Sequence, residues 1–204
     1  SLDAAKAYYQ GKLKMSDDTF AAFLKRRNEE SATYSACHRN AIAQFCREHA
    51  ITLASHDDAT LEHVGEAVAQ GIDVAEFPTT IEAATASHAA GLAVLMGAPN
   101  VVRGGSHSGN VSARTLVDAE VLDILSSDYI PFSLMQAVFA LTEGDEAIAL
   151  PDAVRLVSKH PAEATGFTDR GEIAVGRRAD FTRVEMVDGM PVVRSVWREG
   201  RRVI

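Results

Sequence analysis

Ile51-Thr-Leu-Ala-Ser-His-Asp-Asp58 decides the fold, because a short apolar run ends in a histidine and two carboxylates before Ala59-Thr60 leads into a helix-length segment. A strand over 51–55 and a helix over about 60–69 make one βα unit, and the tip of such a strand is where parallel barrels carry their chemistry. His56 offers a neutral imidazole nitrogen, while Asp57 and Asp58 can bind a cation, orient the imidazole or move a proton. The same residues also describe an exposed turn, with Asp58 as the N-cap satisfying free amides of the next helix. Taken alone, the stretch leaves both readings open.

The rhythm repeats downstream. Residues 73–77 precede Pro78-Thr79-Thr80 and a helix over 81–90; 92–96 lead into a long loop to about 112; 121–126 precede a helix over 132–142. Four such units predict an α/β fold, either half of a (β/α)8 barrel or a small open parallel sheet. A helix over 150–158 follows, and Pro161-Ala162 opens another short one. After Gly166 the pattern alternates between glycines, predicting short strands at Ile173, 180–187, 192–197 and 201–204. Upstream, residues 1–49 read helical, with Ser16-Asp17-Asp18 as a cap and Ile42, Phe45 and Cys46 as an apolar stripe. The expected organisation is residues 1–165 for the helical start and βα units, and 166–204 for a β appendage.

With 204 residues and 47% hydrophobic content, the chain can bury a substantial core. A formal charge of -8 argues against a nucleic-acid-binding face, which needs clustered Lys and Arg. No apolar run reaches the roughly 20 residues that span a bilayer, and no signal-like block opens the chain, so neither membrane insertion nor secretion is expected. Cys37 and Cys46 lie on one predicted helix at a spacing that does not let them face each other, which fits reduced thiols and a cytoplasmic setting.

In a parallel barrel all strand ends converge on one face, and here they carry His56-Asp57-Asp58, Glu76, Asn100 and Asp128. Glu76 lies in an apolar strand, where a carboxylate is costly without a cation or donor beside it. Asp128 stands where the last strand gives way to a helix. It is either that helix's N-cap or, in a metal-dependent hydrolase, a group that binds the cation weakly and takes a proton from metal-bound water. The loop Arg103-Gly-Gly-Ser-His-Ser-Gly-Asn110 combines a guanidinium fork, glycines that let backbone amides approach an anion, and the donors Ser106, His107 and Ser108. It suits a polyphosphate or phosphonate, yet lacks the ending of a P-loop; its bland reading is a flexible connection. His38, His49, His63, His88 and His160 fall in or beside predicted helices and read as surface or packing residues.

Five blocks in order carry a resemblance: Ser55-His-Asp-Asp-Ala-Thr60, Ala75-Glu-Phe-Pro-Thr-Thr80, Met96-Gly-Ala-Pro-Asn100, Arg103 to Asn110 and Leu125-Ser-Ser-Asp-Tyr129. Together they resemble the PhnM family of phosphonate metabolism, within the amidohydrolase superfamily. The tail, Asp169 to Asp180 and then Val196-Trp-Arg-Glu-Gly200, is similar to the superfamily's C-terminal segment, which returns to a small β-sandwich. The resemblance implies the C-terminal half of a TIM (β/α)8 barrel followed by sandwich strands. It implies a metal-dependent diphosphatase that cleaves α-D-ribose 1-methylphosphonate 5-triphosphate to the 5-phosphate and pyrophosphate. The implied cofactor is a divalent metal, zinc first among them. By the same resemblance His56, Glu76 and Asp128 are metal ligands, Asp128 also activates water, Asp57 and Asp58 stand behind the ligands, and Arg103, Ser106, His107 and Asn110 hold the phosphorylated substrate.

The family pattern opens with a His-x-His or His-x-Asp pair on the first strand and a Lys or Glu on the fourth. Here no two histidines stand two residues apart, and His56-Asp57-Asp58 belongs by context to the fifth strand. The resemblance therefore implies a piece truncated at the N-terminal side, inactive alone and weak in metal binding. Such a piece would self-associate through its open edge or require the missing half. Two further functions stay open: hydrolysis of an amide or cyclic amide on the same scaffold, and a non-catalytic interaction module.

Overall fold

Each apolar run between residues 51 and 126 becomes a parallel strand in the computed structural model, which describes residues 2–106 and 109–204. The chain divides into two units, Ser1–His49 and Ala50–Ile204. The first holds α1 (Leu2–Leu13) and α2 (Asp17–Glu48). Ser16 caps α2 by accepting the Thr19 amide, as expected, and Asp17 and Asp18 occupy its first turn, where the helix dipole favours negative charge. Within this unit Tyr9 packs on Phe23 with ring centroids 4.9 Å apart. Cys37 is exposed, Cys46 is buried, and both are free thiols.

The second unit opens with β1 (Ala54–His56), α3 (Leu61–Gln70), β2 (Val74–Glu76), α4 (Ile81–Ala89) and β3 (Ala93–Gly97). It continues with α5 (Ala98–Arg103), α6 (Ala113–Asp118), β4 (Ile124–Ser126), α7 (Ser133–Ala140), α8 (Leu150–Arg155) and α9 (Lys159–Ala164). The four strands form one sheet in the order β1-β2-β3-β4. All are parallel, with Ser55 against Ala75, Ala75 against Val94 and Met96 against Leu125. This α/β arrangement agrees with half of a barrel.

Small residues set the layer spacing: Ala83 and Ala84 are fully buried on α4, and Val94, Leu116, Val138 and Leu141 fill the main core. Threonines cap two of the helices, Thr60 taking the His63 amide and Thr80 the Ala83 amide. Asp58 is therefore not the cap of α3. The chain reaches the helix two residues later than that reading required, and Thr60 performs the same chemistry.

The long connection after β3 is also corrected. It contains α5, entered through Pro99, whose missing N–H costs nothing in the first helical turn. α8 ends at Arg155, short of 158, and α9 starts at Lys159, ahead of Pro161. α9 lies at the N-terminal ends of the strands: His160 Nδ1 donates to the Asp123 carbonyl at 2.9 Å, and Thr52 Oγ1 donates to the Ala164 carbonyl at 3.2 Å. Residues leading into both edge strands are thereby held by a single turn-length helix.

The tail forms a separate antiparallel sheet of β5 (Phe181–Val187), β6 (Met190–Arg198) and β7 (Arg201–Arg202). Ile173 is not in a strand and is 91% exposed. Among the described residues no helix is long and apolar enough to cross a membrane.

Ion pairs tie the segment before β5 to α9. Lys159 donates to Glu172 at 3.1 Å and Arg177 donates to it at 2.9 Å, and together they hold its carboxyl below the ordinary 4.5. The Glu199 amide donates to Asp180 at 2.7 Å; this bond, with Arg178 beside it, holds Asp180 below 3.8. A carboxyl whose folded pKa is depressed stabilises the fold above its unfolded pKa and loses that contribution as pH falls through its folded one. Residues 167–204 are thus expected to lose hydrogen-exchange protection before the parallel sheet does as the pH falls below the ordinary carboxylate range. Equal loss in both regions would contradict this.

Candidate functional site

The C-terminal ends of the four strands surround one cavity of about 460 Å³. Its lining brings together His56 and Asp57 from β1, Phe77 and Pro78 after β2, Met96 and Gly97 from β3, and Asp128 and Tyr129 after β4. The last residue of α5, Arg103, and the connection to α6, through Ser106 and Asn110, add to this lining. Convergence follows from the parallel topology, since each strand delivers its last residues to the same side.

Three of the strand tips end in left-handed backbone at residues other than glycine: Asp57 at φ 62°, Phe77 at 54° and Asp128 at 48°. The ladder continues into the first two, with the Asp57 amide donating to Glu76 and the Phe77 amide to Leu95, and then turns away. Such conformations cost on the order of 1–3 kcal/mol each and concentrate where geometry serves function. The cost is smallest at the aspartates, whose short polar side chains tolerate this region, and largest at Phe77.

His56 Nδ1 lies 3.1 Å from Asp57 Oδ2, and Nε2 is the ring's second polar atom. The Phe77 ring meets the imidazole edge-to-face, with centroids 5.4 Å apart. Asp58 behaves differently from its neighbour. It is buried, accepts the Ser55 hydroxyl at 2.5 Å, and its carbonyl accepts the Thr79 amide at 2.8 Å. Asp58 therefore braces the β1 tip against the segment after β2 and does not line the cavity.

The Asp128 carboxylate has no hydrogen-bond or ion-pair partner among the described residues, and it is not a helix cap, since α7 begins five residues later. Arg103 donates from Nη2 to the Tyr129 hydroxyl at 3.1 Å. A phenol does not neutralise a guanidinium, so the positive charge stays available to an anion. Asn100 lines the cavity while its Oδ1 accepts the Ala113 amide at 2.9 Å, anchoring α6 to α5 across the glycine-rich connection.

Of the residues expected from sequence, the structure gathers His56, Asp57, Asp128, Arg103, Ser106 and Asn110 around one cavity. Glu76 ends β2 in register with His56 but is not part of the cavity lining. His107 lies outside the described residues. Tyr129, Phe77 and Gly97 were not singled out from sequence; their adjacency to Asp128, Glu76 and Met96 is the signal that marks them.

The fit to a divalent metal is incomplete. Among the described residues no three His, Cys, Asp or Glu side chains converge in a way that could hold one. His56 and Asp128 share the cavity, but a catalytic zinc usually takes three protein ligands.

The amidohydrolase family profile matches residues 15–204. The alpha-D-ribose 1-methylphosphonate 5-triphosphate diphosphatase of Escherichia coli (strain K12) is 48% identical over 199 residues, which is 97% of this chain and 53% of that protein. The chain thus spans about half the length of this curated relative. An amidohydrolase from Thermotoga maritima MSB8 superposes with a TM-score of 0.59 at 20% identity, covering 95% of this chain and 58% of its own. A mutant of atrazine chlorohydrolase TrzN from Arthrobacter aurescens TC1, complexed with zinc and atraton, superposes with a TM-score of 0.55 at 16% identity, covering 81% of this chain and 47% of its own. At these identities the two structures establish likeness of fold alone.

Proposed function

This chain belongs to the amidohydrolase family, and from that premise we propose that it carries part of a diphosphatase acting on α-D-ribose 1-methylphosphonate 5-triphosphate. The observation that carries the reading is one cavity holding Asp128, whose carboxylate has no partner among the described residues, and Arg103, whose partner among them is the Tyr129 phenol, beside Ser106 and Asn110. Hydrolysis of the anhydride between the first and second phosphates needs these two functions. Water supplies an oxygen to phosphorus and loses a proton, while the bridging oxygen leaves with pyrophosphate. Asp128 is the proton acceptor in this reading, and Arg103 with Ser106 and Asn110 orients the phosphate oxygens and offsets their charge. His107, from the same connection, is proposed as a further donor.

The cofactor in this reading is zinc, as in the TrzN complex. When bound, such a metal polarises the phosphoryl oxygen or acidifies water. His56 and Asp128 would be this chain's donors, with Asp57 beside the imidazole; Glu76 is proposed as a third. The described residues do not complete the set.

Arg103→Ala tests the anion role in the complete gene product. KM for the triphosphate is expected to rise about 10-fold or more, matching loss of a charge-assisted contact of about 1.5–3 kcal/mol. Any turnover of an uncharged cyclic amide should stay the same. An unchanged KM for the triphosphate would contradict the assignment.

A further inference from the structure

We propose that Gly97 is a positioning residue for Asp128: its missing side chain is the space that lets the Asp128 carboxylate lie against the tip of β3. This inference rests on the reading of Asp128 as proton acceptor. Gly97 is the buried last residue of β3 and pairs with Ser126, two residues before Asp128. Its backbone angles, φ -77° and ψ 130°, are ordinary for any residue. Conformational freedom is therefore not the reason for a glycine here.

Space is the reason. A Cβ added at Gly97 would stand 3.1 Å from Asp128 Oδ2 and 3.3 Å from Asp128 Cβ. Gly11 and Gly65, the other glycines with ordinary φ, would meet nothing within 4 Å. Asp128 comes this close because its left-handed backbone, at φ 48°, turns it toward the neighbouring strand. A methyl group at position 97 would push the carboxylate away by a few tenths of an ångström. It would leave the sheet ladder intact, because the obstructing atoms belong to a side chain in an open cavity. Small displacements of a reacting group carry large kinetic penalties, of the order of 10²-fold for 1 Å.

The test measures kcat, KM and melting temperature for Gly97→Ala, Asp128→Asn and the double variant of the complete gene product. Gly97→Ala is expected to lower kcat about 10- to 100-fold, with KM within about twofold and the melting temperature within a few degrees. In the Asp128→Asn background the same change should cost less than about twofold, since it acts through a carboxylate already removed. Wild-type kcat in Gly97→Ala, an equal penalty in both backgrounds, or failure of Gly97→Ala to fold would each overturn the proposal. Wild-type kcat in Asp128→Asn would instead overturn the proton-acceptor reading, so the two failures are separable.

Discussion

Replacing Asp128 by asparagine is expected to lower kcat for triphosphate hydrolysis by about 10²- to 10⁴-fold, the range for loss of a general base. KM and stability should barely move. Asparagine tolerates left-handed backbone as well as aspartate does, so the φ of 48° at this position is retained. The side chains are nearly isosteric, which keeps the contact with the β3 tip. The carboxylate has no hydrogen-bond or ion-pair partner among the described residues, so no interaction that holds the fold is lost. What disappears is the charge and the ability to take a proton, equivalent to about 3–5 kcal/mol of barrier. Steady-state kinetics of the complete gene product check this, and a kcat within about threefold of wild type would contradict the role.

Leu116→Ala is expected to destabilise the protein by about 3 kcal/mol, within the 2–5 kcal/mol found when a buried leucine is truncated. Leu116 is fully buried on α6 within the main core, beside Val94, Val138 and Leu141. Loss of the apolar group contributes part of the cost, and the cavity left in a close-packed interior adds the rest. The change should also reach the site. α6 is tied through Ala113 to Asn100, and the connection between them carries Arg103, Ser106 and Asn110. Urea unfolding should show the midpoint fall without a change in slope, accompanied by a raised KM. A loss below about 1 kcal/mol would mean that α6 contributes little to the core.

The parallel half of the fold was readable because a βα unit leaves two local marks, an apolar run of strand length and a polar tip before a helix. Ala54–His56, Val74–Glu76, Ala93–Gly97 and Ile124–Ser126 lie inside the runs expected or pass them by one residue, although the first and last of these strands begin three residues late. α5 was missed because six residues opened by a proline resemble a loop, although proline in the first turn is a helix signal. Ile173 read as a strand because alternation was counted across a glycine-rich turn with no partner strand to pair it.

At the site, the convergence of His56, Asp128 and Arg103 followed from strand-end topology, which sequence order encodes. The division of labour between Asp57 and Asp58 did not, because it depends on a left-handed turn at Asp57 that sends one carboxylate to the imidazole and the next to Ser55. Gly97 was silent for the same kind of reason. A glycine kept for space near a residue 31 positions later leaves no local pattern.

The most direct measurement is product analysis by phosphorus NMR after incubating the complete gene product with α-D-ribose 1-methylphosphonate 5-triphosphate and zinc. The expected result is pyrophosphate and the 5-phosphate in equal amounts, with no inorganic phosphate. Stepwise release of inorganic phosphate, or no turnover of the triphosphate alongside turnover of a cyclic amide, would contradict it.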